Sequence, residues 1–81
     1  MKVTVRFFAS HREATGVSRC LLDIPEGASA AEALEAVCRR FPPLAALAPG
    51  CAFAVNRSQV AGSTTLREDD ELALLPPMAG G

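Results

Sequence analysis

Tryptophan and tyrosine are absent, and four phenylalanines are the only aromatic residues. A base-stacking platform for single-stranded nucleic acid has little to be built from. Lys2 is the only lysine. It and seven scattered arginines stand against nine acidic residues, a net charge of −1, with no basic stripe to displace counterions from phosphates. No nucleic-acid partner is expected. The three cysteines, Cys20, Cys38 and Cys51, form no C-x-x-C pair, and His11 is the only histidine. An odd set without four-ligand spacing fits neither a disulfide framework nor a zinc site. The expectation is no metal, and buried free thiols in a reducing, cytoplasmic setting. His11 falls in a polar stretch with no partner in reach by spacing, and reads as a surface imidazole. No apolar run approaches the roughly 20 residues of a membrane-spanning helix. No signal-peptide pattern precedes the first strand pattern either. No membrane partner is expected.

What is present suits one small domain: 81 residues, 49% hydrophobic and 21% charged. Domains this small hide only about 60% of their unfolded surface, which leaves little core to line a deep catalytic pocket. A self-contained enzyme is not expected.

Residues 1–8 alternate, Val3, Val5 and Phe7 against Lys2, Thr4 and Arg6, the period of a half-buried strand. A polar connection over residues 9–16 ends at a glycine suited to a turn. Residues 18–24 read as a second strand with Cys20, Leu22 and Ile24 inward. Ser29 and Glu32 have capping-box spacing, and Ala30, Leu34, Val37, Cys38 and Phe41 form a helical stripe. Pro42-Pro43 ends that helix. A short helical turn at residues 44–47, a strand at 52–56 with Phe53 and Val55 inward, and a tight turn at Asn56 into an edge strand near Val60 follow. Residues 62–70 read as a polar connection with a solvated acidic run, and residues 71–75 as the last strand, Leu72 and Leu74 inward. One main helix covers one face of a small mixed sheet, and a right-handed crossover puts the last strand beside the first. That is an α+β, ubiquitin-like β-grasp. Its uncovered face offers Phe8, Leu21, Ala73 and Leu75 as candidate exposed apolar residues.

The chain then runs Leu75-Pro76-Pro77-Met78-Ala79-Gly80-Gly81. Two prolines favour an extended backbone, and two residues without side chains narrow the thread. Such a tail can enter a narrow channel and present a terminal carboxylate to another protein's active site. Carboxylate alone is a poor acyl donor. Attack on the α-phosphorus of ATP would convert it to an acyl-adenylate with AMP as leaving group, which sulfur, a thiol or an amine could displace. The sequence has no G-x-x-x-x-G-K-[ST] or G-x-G-x-x-G loop, so no cofactor is expected on this chain and ATP would be used in trans.

Arg6-Phe7-Phe8-Ala9 with Arg12-Glu13, Pro25-Glu26-Gly27-Ala28-Ser29, Ala54-Val55-Asn56, Leu66 with Asp69-Asp70-Glu71-Leu72-Ala73, and Pro76-Pro77 before Gly80-Gly81 carry a resemblance. Over essentially its whole length the chain resembles the small, sulfur-carrying subunit of molybdopterin synthase, in the MoaD/ThiS family. The resemblance implies a β-grasp domain over residues 1–75 and an extended tail over 76–81. It also implies that Gly81 is adenylated by an E1-like enzyme and becomes a thiocarboxylate, with a sulfur donor protein upstream. The tail would then enter the large synthase subunit and give sulfur to cyclic pyranopterin monophosphate. Leu75, Pro76, Pro77, Met78, Ala79 and Gly80, with Phe8 and Arg12, would meet these partners. Where that family commonly has glycine before the last strand, this chain has Asp69, which can adopt a positive φ at modest cost if the turn requires one.

Other readings remain open on the residues alone. The same chemistry could serve thiazole synthesis or tRNA thiolation. A ubiquitin-like modifier would join Gly81 to other proteins, and a plain binding module would use the sheet face and leave the tail inert.

Overall fold

Alternation in the first residues does what a half-buried strand requires. The computed structural model, which describes residues 1–77, forms β1 over Lys2–Phe7 with Val3, Val5 and Phe7 buried. β2, Arg19–Asp23, pairs antiparallel with it. β3 (Ala52–Val55), β4 (Ser58–Val60) and β5 (Glu71–Leu75) complete one sheet in the order β2-β1-β5-β3-β4. β5 runs parallel to β1, Val5 beside Leu72 and Phe7 beside Leu74. This is the β-grasp order.

The main helix, Ala30–Arg40, is cut by its own sequence. Ser29 Oγ accepts from the Glu32 N–H (3.2 Å), and Glu32 Oε1 accepts from the Ser29 N–H (2.9 Å). Ala33 joins Ala30 and Val37 in the buried stripe, while Leu34, Cys38 and Phe41 pack partly buried along its flanks. Pro42 and Pro43 stop the α-helix and open a 3-10 helix, Pro42–Leu47, whose Leu44 is fully buried.

Several expectations need correction. Residues 9–16 are not a loop but a helix, Ala9–Thr15, which we label α1, the main helix being α2. Gly16, at φ 78°, is its left-handed stop, its N–H bonding Arg12 O at 2.9 Å. Ala9 itself sits at φ 45°, a left-handed residue that turns the chain from strand to helix. His11 is not a surface imidazole: it is 1% exposed, because positions 11 and 14 share the inward side of α1 while Arg12 and Glu13 remain exposed. α2 is therefore the main cover of the sheet, with α1 and the 3-10 helix packed together at one end. Leu66, expected in a polar connection, is buried in the core, its N–H bonded to Ala28 O at 2.8 Å.

The turns follow residue chemistry. Asn56 (φ 49°) and Arg57 (φ 74°) are consecutive left-handed residues, the geometry of a two-residue hairpin. The turn does require a positive φ where the family has glycine, and Asp69 takes it at φ 68°. The acidic run is more than a solvated turn. Glu68 accepts from the Lys2 N–H (2.8 Å), and Asp70 accepts from the Arg67 N–H (2.7 Å) and from Asn56 Nδ2 (3.0 Å). Among the described residues no helix is long and apolar enough to cross a membrane. Replacing Ser29 by Ala should lower the unfolding free energy by about 1 kcal/mol. A urea midpoint that falls at constant slope checks this, and an unmoved midpoint would mean the box contributes nothing.

Candidate functional site

The site is built where β5 leaves the sheet. Leu72 and Leu74 are held in the core, so Glu71, Ala73 and Leu75 point to the opposite face. There the strand registers align Arg6, Ala73 and Ala54 in one row, with Leu75 opposite Ala52. Ala54 is buried on this face, and Phe8, Ala73 and Leu75 are half-buried. Leu21, at 63% exposure, is the one of the four candidates that is open to solvent. The Arg6 guanidinium lies 5.1 Å from the centre of the Phe8 ring and 3.7 Å from the Glu71 carboxylate. The face is apolar beside the tail's root and carries a held cation next to it.

Three neighbours surround the root. His11 Nδ1 lies 3.2 Å from Leu74 O, and since a carbonyl only accepts, that nitrogen carries the hydrogen. His11 Nε2 is buried with no hydrogen-bond partner among the described residues. The Cys51 thiol sits beside the last pair of β5, its Sγ donating to Ala52 O at 3.4 Å, and Ala52 is the partner of Leu75 in the sheet. Gly50, at φ 83°, lies beside Pro77, and a Cβ on it would stand in van der Waals contact, 3.4 Å from Pro77 Cγ. Of the residues expected to meet partners, Leu75, Pro76 and Phe8 are half-buried here and Pro77 is exposed. Arg12 is exposed on α1, where its backbone carbonyl receives Gly16. Met78, Ala79, Gly80 and Gly81 lie outside the described residues.

His11, Gly50 and Cys51 are the neighbours that sequence reasoning passed over. Counting His11 as polar hid it, although Gly16 and the spacing of residues 11 and 14 signalled a short helix. Gly50 was visible only as a loop glycine, because its contact with Pro77 is long-range.

The described residues supply no catalytic dyad. The one imidazole is tied to a backbone carbonyl, and no group of three or more metal-ligating side chains exists among them. The thiols are free but only half-buried, not fully so as expected. Burial pushes all three above the usual thiol range. For Cys20 the Arg40 charge partly offsets burial; for Cys51 the Leu75 N–H pulls down and the nearby Cys38 pushes up. A shallow concavity lined by Ile24, Gly27, Glu32 and Arg39 lies at the start of α2 and shares no residue with the root.

Comparison with known proteins settles the lineage. The sequence profile of the ThiS family matches residues 5–81. The chain belongs to the ThiS family. It is 31% identical to a molybdopterin synthase sulfur carrier subunit of Chlamydomonas reinhardtii, with all of both chains covered. To the protein of the same name from Arabidopsis thaliana it is 32% identical, over all of this chain and 84% of that one. Among solved structures, SAMP1 of Haloferax volcanii superposes with a TM-score of 0.90 at 25% identity, all of both chains covered. A protein–protein complex of subunits 1 and 2 of molybdopterin-converting factor from Helicobacter pylori gives 0.70 at 28%, again over all of both chains.

The raised thiols fix a sign. Folding holds their protons more tightly, so the stability they contribute is complete below the unfolded thiol range and is lost as pH rises through the folded values. Iodoacetamide at mildly alkaline pH should therefore label all three more slowly in the native protein than in urea. Equal rates would contradict the shifts.

Proposed function

We propose that this chain is a sulfur carrier for molybdopterin formation. The observation that carries the reading is similarity over the whole of this chain to proteins named molybdopterin synthase sulfur carrier subunit. The chain's own residues agree with it: an extended apolar exit at Leu75-Pro76-Pro77, and no catalytic dyad among the described residues.

In this reading the Gly81 carboxylate attacks the α-phosphorus of ATP bound by an E1-like partner, and pyrophosphate leaves. Sulfide released by a donor protein then adds to the acyl carbon as HS⁻ and expels AMP, leaving a terminal thiocarboxylate. The tail, residues 76–81, enters the large synthase subunit, and Gly81 gives up its sulfur to cyclic pyranopterin monophosphate. Gly80, Ala79 and Met78 keep the thread narrow or apolar. Leu75, Phe8 and the exposed Leu21 offer the apolar surface for docking, with Arg12 at its margin. The Helicobacter pylori complex of the two converting-factor subunits supports a large-subunit partner. ATP is used in trans, and no cofactor resides on this chain.

A second reading is favoured by the similarity to SAMP1, a small archaeal modifier protein. The same acyl-adenylate would then pass to an amine of another protein. With Lys2 as the only lysine, chains of this protein on itself would be limited to that residue and the N-terminus.

One residue added after Gly81 should eliminate molybdopterin formation in a reconstituted system containing the activating enzyme, a sulfur source and the large subunit. Retained synthesis by the extended chain would overturn the carrier mechanism.

A further inference from the structure

β5 is flanked by β1 on one side and β3 on the other, and each neighbour sends one support to the tail's root. The chain leaving β1 forms α1, whose His11 bonds Leu74 O from the interior. The chain entering β3 carries Gly50, which lies against Pro77, and Cys51, whose thiol donates to Ala52 O, the partner of Leu75 in the sheet. α1 also packs on the 3-10 helix that leads to Gly50, so the two supports are braced against each other.

An apolar residue could fill the site of His11 without burying an unpartnered Nε2, and such an orphan costs stability. What histidine adds there is the bond to the last core carbonyl of β5. Gly50 adds a left-handed backbone, at φ 83°, that carries the loop past Pro77 and that a residue with a Cβ would hold only under strain. A tail that must thread a channel loses less conformational entropy on insertion if its root already points one way.

We infer that His11 and Gly50 are positioning residues: together they clamp Leu74–Pro77 and set the direction in which the tail is offered to its partner. The consequence for catalysis rests on the carrier reading; the clamp itself does not.

The test compares variants matched for strain. Gly50→Ala and Gly27→Ala both force alanine to a φ near 85°, but Gly27 has nothing within 4 Å of its Cβ position. Equal backbone strain is thus separated from contact with Pro77. His11→Leu removes the donor and the orphan nitrogen together, and His11→Asn returns an amide donor. The Leu75 amide is read by hydrogen exchange. In Gly50→Ala and His11→Leu it should exchange at least about 5-fold faster relative to the global unfolding rate, with Gly27→Ala unchanged and His11→Asn partly restored. In sulfur loading by the activating enzyme, with ATP and sulfide, the same two variants should raise KM for the carrier about 5-fold at nearly constant kcat. Exchange equal to that of Gly27→Ala in both variants overturns the clamp, whether or not the wild type is loaded. Faster exchange with unchanged KM keeps the clamp and overturns its role in presentation. A wild type that takes up no sulfur overturns the carrier reading and the presentation role, and the exchange rates still decide the clamp.

Discussion

The parallel pairing of β1 with β5 is the contact on which the rest of the molecule depends. It joins the two ends of the described chain, so it closes the longest loop and carries the largest closure entropy. Val5, Phe7, Leu72 and Leu74 offset that cost by burying their side chains completely, or nearly so, beneath α2. Trimming any one of the leucines to alanine in such a setting costs about 2–5 kcal/mol. β2 hangs on one of these strands and β3 on the other, and β4 hangs on β3. Because β5 is central, the segment that follows it emerges from the middle of the sheet with neighbours on both sides. An edge strand would leave that segment unsupported.

This placement accounts for a domain with so little chemistry of its own. The inward residues of the sheet are committed to the core, the imidazole holds a carbonyl and the thiols are pushed toward their protonated form. What remains is an apolar face around Leu75 and Phe8, with Arg6 held over the Phe8 ring. In the carrier reading the domain is a handle for the tail that follows β5. Membership of the ThiS family and end-to-end similarity to sulfur carrier subunits give that tail its proposed chemistry.

Much of this was legible in the residues because it is local. Val3-Val5-Phe7 alternation, the Ser29–Glu32 box, Pro42-Pro43 and the Asn56 turn each state their structure within a few positions. The short acidic side chain of Asp69 showed that a left-handed backbone was tolerable there, though not that the turn would require it. α1 was missed because it spans two turns and its one inward polar residue, His11, is satisfied only by Leu74, far along the chain. Leu66 was lost in a polar stretch for the same reason, its burial depending on Ala28 and the start of α2. The exit of the tail could be placed from sequence, but not the parts that hold it, since Gly50 meets Pro77 only in three dimensions.

The central claim is that Gly81 carries sulfur as an acyl group. Intact mass of the protein after incubation with ATP, sulfide and the activating enzyme tests it most directly. The account predicts a gain equal to replacing one oxygen by sulfur, located by fragmentation to the last residues. An unchanged mass, with an enzyme shown to be active on another carrier, would contradict it.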